Sequence, residues 1–309
     1  MSSIEFISLY LFIFCFMAMY GLKAYNIHRN YDYWIASLPV IAIVSFIIGS
    51  RTYGADYNWY KYQFEHASLT SMLQEQQPFF VYINRFLTEI GFNYVGAFTT
   101  YTFVYLCGAF YLLRSYGTDS KYMFLFLLPS YIGFGTDIIR QTFATGFILF
   151  AIPLLDKKKY IGVGLLVAIA YAIHSSTIVI FAIYLAFKYF SKKPLNPIYT
   201  IPLYILIVLF YDSNLTGNIA PYISKLNLGD SKFQGYVDAS DRWFSNDAAN
   251  DIYSQGAAAL FVNTLYVVGL FYIGYIALRC KLNTRIIPIY NIVVVGYILL
   301  RMVFQFEIL

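Results

Sequence analysis

The sequence predicts an all-α integral membrane protein of about ten transmembrane helices, some of them short and paired. Three observations carry that prediction. Of 309 residues, 60% are hydrophobic and 12% charged, whereas a soluble globule carries about 25% charged residues. The longest apolar runs match the roughly 20 residues that cross a bilayer. The loops between the runs alternate in charge.

Ten apolar segments follow one another at 4–22, 35–50, 94–113, 122–135, 138–155, 160–173, 176–188, 197–211, 258–278 and 286–306. The first begins at Ile4 with no basic flank and no small-residue cleavage site, the pattern of a retained helix rather than a signal peptide. The connections at 23–34, 114–121, 156–159, 188–196 and 279–285 hold 13 of the 21 Lys and Arg but 3 of the 16 Asp and Glu. The other side holds the remaining 8 cations and 13 acids. Short cationic loops stay in the cytoplasm. The chain ends and the long loops 51–93 and 212–257 are therefore expected outside, around a single transmembrane domain, 1–309. The net charge of +5 is topological and not a nucleic-acid footprint. No GxxxxGK[ST] loop is present. Cys15, Cys107 and Cys280 have no metal or disulfide spacing. No internal repeat of the transporter kind is visible.

The first long loop predicts an amphipathic helix over about 78–90, lying on the membrane surface or capping the bundle. Phe79, Phe80, Ile83, Phe86, Leu87 and Ile90 share one side. Asn84, Arg85, Thr88 and Glu89 share the other, and Pro78 and Gly91 mark the ends. The second, 212–257, is polar and acidic, a candidate lid or an inert loop.

Charged side chains at membrane depth mark function by default. In GTDIIRQTFATGF the preceding run, 122–135, is too short to cross, so the turn at Thr136-Asp137 is expected inside a cavity. Either residue can cap the next helix, putting Arg140 and Gln141 in its first turn. A helix N-terminus with an arginine suits phosphate; an Asp137–Arg140 pair closing the turn is the alternative. The run 160–173 is also short, so His174 falls at a matching depth, as a base, a diphosphate donor or a hydrogen-bonded structural histidine. Arg301 lies in the outward half of the last segment, joining the same cluster or pairing with Glu307. RTYGADYNWYKYQF, at the outer end of the second segment, adds Arg51, Asp56 and six aromatic residues, among them Tyr57 and Tyr60. Three arginines and a histidine suit a multiply charged anion, Asp56 is a second candidate base, and the rings suit the headgroup level or sugar faces. These residues point to an outward-facing site for an anionic amphiphile such as a lipid pyrophosphate carrying a glycan. They do not select a reaction.

The motif R-x-x-G-x-D-x-x-x-Y at Arg51, Gly54, Asp56 and Tyr60 resembles the start of the EpsG family of Wzy-like polysaccharide polymerases. Gln77-Pro78-Phe79-Phe80 is similar to the family's acid-Pro-x-Phe, with glutamine replacing the acid. I-R-Q-x-x-A at Ile139, Arg140, Gln141 and Ala144, lysines 157–159, H-x-S at His174 and Ser176, and Arg301 follow in family order. The resemblance is densest over 45–185.

The resemblance implies a GT-C-like bundle with an outward-facing cavity, in the bacterial cytoplasmic membrane with the active site toward the periplasm. The implied enzyme is a glycosyltransferase that joins undecaprenyl-pyrophosphate-linked repeat units into O-antigen, capsule or exopolysaccharide. Arg140, Arg51 and Arg301 would stabilise the leaving pyrophosphate, with Gln141, Tyr57 and Tyr60 in the binding set. His174 or Asp56 would accept the acceptor's proton. Arginines can replace a metal at a pyrophosphate leaving group, and no clustered acids stand in the sequence, so no metal and no cofactor are expected. The expected partners are the two lipid-linked glycans and membrane lipid, with a chain-length regulator as a candidate; no nucleic acid is expected. An O-antigen ligase uses the same donor. A lipid-linked oligosaccharide flippase would need charges along a path through both leaflets, and a membrane acyltransferase a polar route from the cytoplasm.

Overall fold

The computed structural model describes residues 29–52, 57–66, 78–117, 139–210, 257–280 and 284–303, with isolated positions between 8 and 27. The described residues form helices and their connections, with no strand. The helices are α1 (Asn30–Gly49), α2 (Tyr57–His66), α3 (Pro78–Glu89), α4 (Tyr94–Ser115), α5 (Ile139–Asp156), α6 (Tyr160–Ile173), α7 (Thr177–Phe190), α8 (Pro197–Phe210), α9 (Ala257–Arg279) and α10 (Ile287–Val303). Eight correspond to predicted apolar segments. The segment predicted at 122–135 and nearly all of the loop 212–257 lie outside the described residues. The helices α1, α4, α5 and Leu260–Arg279 of α9 are long and apolar enough to cross a membrane. Four shorter apolar helices, α6, α7, α8 and Ile287–Leu299 of α10, accompany them.

The chain divides into two compact units, Met1–Ala182 and Ile183–Leu309. In the first, α4 packs against α1 and α5, and α5 against α6. Lipid is as apolar as a leucine side chain, so helices in a bilayer associate through close fit and not through exclusion of water. Small residues supply the fit. A Cβ on Gly49 would strike Thr99, one on Gly108 would strike the carbonyl oxygen of Gly146, and one on Gly146 would lie 2.8 Å from the Tyr105 Cα. Tyr101 meets Phe143 and Tyr111 meets Phe150, so α4 and α5 run in the same direction. The helix α1 runs against α4, Gly49 lying at Thr99 and the Tyr33 hydroxyl donating to the Phe110 carbonyl. Val40, Ile41, Val44 and Ile48 of α1 bury themselves against Leu106, Phe110 and Leu113 of α4.

This arrangement gives the first unit two ends. One gathers the C-termini of α1 and α6, the N-termini of α4 and α5, and the short helices α2 and α3. The other, cationic end holds Arg114, the start of α1 and the Lys157–Lys159 turn. There α5 stops in a Schellman motif: Lys159 N–H donates to the Leu154 carbonyl at 2.9 Å and Lys158 N–H to that of Leu155 at 3.0 Å. Lys158 occupies the left-handed position, with φ 58°, where glycine is usual.

The second unit packs α8, α9 and α10 around Tyr204, Val208, Leu260, Val267, Phe271, Tyr290 and Val294. The fully buried Asn291 staples the 191–196 connection. It accepts from Leu195 N–H at 2.8 Å and donates to the Ser191 hydroxyl at 2.9 Å and the Lys193 carbonyl at 3.2 Å. Arg301 lies about 15 Å farther along α10, 8% exposed, with Tyr204 as an electrostatic neighbour.

Candidate functional site

The non-cationic end of the first unit is built on a rigid corner. After α3, Phe92 N–H donates to the Leu87 carbonyl at 2.9 Å and Gly91 N–H to that of Thr88 at 3.0 Å. Gly91 has φ 89°, the left-handed turn that glycine adopts without strain. Two residues later Asn93 caps α4, its side-chain oxygen accepting from Gly96 N–H at 3.0 Å. The corner folds α3 back beside α2 and α6, with its side chains reaching the first turns of α4.

The helix α3 docks with a different face from the one its periodicity suggests. Phe80, Val81, Asn84 and Leu87 are buried, while Phe79, Tyr82, Phe86 and Ile90 are exposed. Asn84, expected on the polar side, is 6% exposed and accepts a hydrogen bond from the Tyr101 hydroxyl. Both sides of α3 carry large apolar groups, so hydrophobicity alone does not choose between them. The buried phenol, which needs an acceptor, makes the difference. The remaining polar edge is closed by an exposed Arg85–Glu89 ion pair at 2.7 Å.

Tyr101 is the hub of a ring cluster. Its ring centroid lies 4.7 Å from Phe143, 5.4 Å from Phe80 and 6.5 Å from Phe98. Tyr60 meets Phe80 at 6.2 Å, and Tyr57 meets both Tyr94 and Phe98 at 6.0 Å. Three cations rest on these rings. The Arg51 guanidinium carbon is 5.8 Å from the Phe98 centroid, that of Arg140 is 5.9 Å from Phe80, and Lys61 Nζ is 4.6 Å from Tyr94. These distances fall within the range of cation–π attraction.

Arg51 is 5% exposed, and its Nη1 donates to the Ile48 carbonyl at 3.1 Å. Arg140 is half-buried in the first turn of α5 beside Gln141. Its Nε makes no hydrogen bond among the described residues. The sequence therefore placed both arginines at one end correctly, and the fold adds that they flank a common set of rings. Tyr57 and Tyr60 are buried within that set; the exposed rings of α2 are Trp59 and Tyr62. Burial, followed by the neighbouring Tyr94, pushes the Tyr57 hydroxyl up to about 12. Near neutral pH it is a neutral phenol that can donate a hydrogen bond.

His174 ends α6 in extended conformation, φ −151° and ψ 108°. Its N–H donates to the Ala170 carbonyl at 2.9 Å. Its own carbonyl accepts from the hydroxyl of the buried Thr177 at 2.6 Å, which fixes the turn into α7. Counted from the Lys157–Lys159 turn, Arg140 stands about 24 Å along α5 and His174 about 21 Å along α6. The matched depth expected from the two short runs is therefore present, and α3 packs on α6. Arg301 belongs to the second unit. Asp56, Thr136, Asp137 and Glu307 lie outside the described residues, so the second base, the cap of α5 and a pairing of Arg301 with Glu307 rest on the sequence.

Sequence reasoning gave no site role to Tyr101, Asn84, Phe80, Phe98 or Lys61, although Phe80 and Asn84 were placed on the predicted helix. For Tyr101 a signal existed: TTYT at 99–102 is a polar patch early in an apolar run, and a buried phenol there needs an acceptor. Lys61 stood inside the ring-rich stretch itself.

The EpsG family model matches residues 34–309. Neither a curated protein nor a solved structure gives a significant match.

Proposed function

The chain belongs to the EpsG family of Wzy-like polysaccharide polymerases, and from that membership we propose the reaction, the substrate and the residues. The enzyme joins undecaprenyl-pyrophosphate-linked oligosaccharide repeat units into O-antigen, capsule or exopolysaccharide. It works at the outer face of the bacterial cytoplasmic membrane, from a GT-C-like bundle whose cavity opens outward. A hydroxyl of one lipid-linked unit attacks the anomeric carbon of the sugar on a second. The new glycosidic bond forms as the bond to pyrophosphate breaks, undecaprenyl pyrophosphate departs, and the hydroxyl proton passes to His174 or Asp56.

The observation that carries this reading is the shared ring cluster beneath Arg51 and Arg140. A guanidinium lying on an aromatic face at the edge of a bilayer keeps its charge in a low-dielectric setting. There it can stabilise the negative charge that grows on the leaving oxygen. Arg140 and Gln141 in the first turn of α5 add the helix N-terminus. Tyr57 and Tyr60, buried within the ring set, support the anion site from behind, and no metal takes part. α3 lies at the headgroup level, its exposed Phe79, Tyr82 and Phe86 facing lipid.

The test is a gel of surface polysaccharide from a host lacking the gene, complemented with wild type. The expected deletion phenotype is core carrying a single repeat unit, with the ladder restored by wild type. If no repeat unit reaches the core, the polymerase reading fails and a ligase or flippase replaces it.

A further inference from the structure

Lys61 has no role in the reading above, although its position is unusual for a lysine. Tyr57, Tyr60 and Phe64 form the buried face of α2. Lys61, four residues after Tyr57, falls on that same face and is half-buried. Glu65 stands four residues on, where a helical ion pair ordinarily forms. Among the described residues no ion pair joins the two. The ammonium lies instead over Tyr94 at 4.6 Å. Tyr94 is 6.0 Å from both Tyr57 and Phe98, and Phe98 carries Arg51 on its ring. Two cations thus reach the same three-ring group, Lys61 from α2 and Arg51 from just past the end of α1.

We propose that Lys61 is a further substrate-binding residue, which together with Arg51 holds a phosphate of the lipid diphosphate. This assignment rests on the polymerase reading. The chemistry favours it because a ring face lowers the cost of holding the ammonium out of bulk water without neutralising its charge. A lysine then serves as a movable point charge for phosphate oxygens beside the fixed fork of an arginine.

The test uses full-length protein in lipid nanodiscs. Lys61→Gln and Lys61→Arg are compared with wild type for KM and kcat on the lipid-linked repeat unit, and for binding of farnesyl diphosphate as a short lipid diphosphate. Lys61→Gln is expected to raise KM about tenfold, to change kcat less and to weaken farnesyl diphosphate in parallel. Lys61→Arg is expected to stay near wild type. Should Lys61→Gln fail to accumulate, Lys61→Met, which keeps the stem against Tyr94, takes its place with the same expectation. Wild-type KM and farnesyl diphosphate affinity in the neutral variant overturn the assignment. Binding of inorganic pyrophosphate as tight as that of farnesyl diphosphate also overturns it, because the ligand is then a free anion. Arg140→Ala is assayed in parallel. If it is inactive while Lys61→Gln is normal, only the Lys61 assignment falls; if it too is normal, the site itself is misplaced.

Discussion

The two ends of the first unit each hold an arginine on an aromatic ring, and the two are used differently. Arg114 lies 4.8 Å over Tyr33, but it also donates to the Asn30 side chain at 3.1 Å and to the Ile27 carbonyl at 2.8 Å. Its charge is consumed in tying the start of α1 to the end of α4. Arg140 rests on Phe80 while its Nε makes no hydrogen bond among the described residues. A guanidinium has five N–H donors, so donors committed to the protein are withheld from a ligand. By that measure Arg114 is structural, whereas Arg140 keeps an N–H uncommitted among the described residues.

Arg140→Ala against Arg114→Ala breaks this comparison most directly. Arg140→Ala is expected to reduce polymerisation about 10²- to 10³-fold with normal protein yield. Arg114→Ala is expected to lower yield while leaving turnover per folded molecule intact. Ladder intensity normalised to membrane-extracted protein separates the two. An inactive, well-folded Arg114 variant would erase the distinction.

A smaller effect concerns the latch between α3 and α4. Tyr101→Phe leaves the buried Asn84 amide without its donor and is expected to cost about 1–3 kcal/mol. Asn84→Leu alone strands the phenol. The double substitution is expected to cost clearly less than the sum of the singles. Thermal unfolding in detergent measures this, and strictly additive costs would show that the two groups do not act as a pair.

The smallest effect sharpens the contrast through one motif found at both ends. α3 and α5 stop in the same Schellman geometry, with Gly91 at the left-handed position in one and Lys158 in the other. Nothing lies within 4 Å of a Cβ added to Gly91, so Gly91→Ala tests backbone strain alone and is expected to destabilise by about 1 kcal/mol. Lys158→Gly removes the corresponding strain and is expected to stabilise by up to about 1 kcal/mol. Melting temperatures that move in the same direction for both would contradict the shared geometry.

Helix boundaries were legible wherever polarity changes sharply. The run predicted at 160–173 is Tyr160–Ile173 in the structure, because Lys159 and His174 bracket an unbroken apolar stretch. The helix expected over about 78–90 is Pro78–Glu89, bounded by proline and glycine. The start of α1 was less legible. It begins at Asn30, five residues before the predicted apolar run. Its polar first turn is held by Arg114, a partner 84 residues away in the chain.

The sequence by itself determined the places of the eight described apolar helices and the shared end of Arg51, Arg140 and His174. Those follow from run length and rise per residue, which are local. Tertiary structure alone decided which side of α3 turns inward, that Arg51 and Arg140 flank rings joined through Tyr101, and that Lys61 joins them. Those depend on the rotation of each helix about its axis. In an all-apolar segment that rotation is chosen by close fit at Gly49, Gly108 and Gly146 and by one buried hydroxyl finding its acceptor, none of which hydrophobic periodicity records.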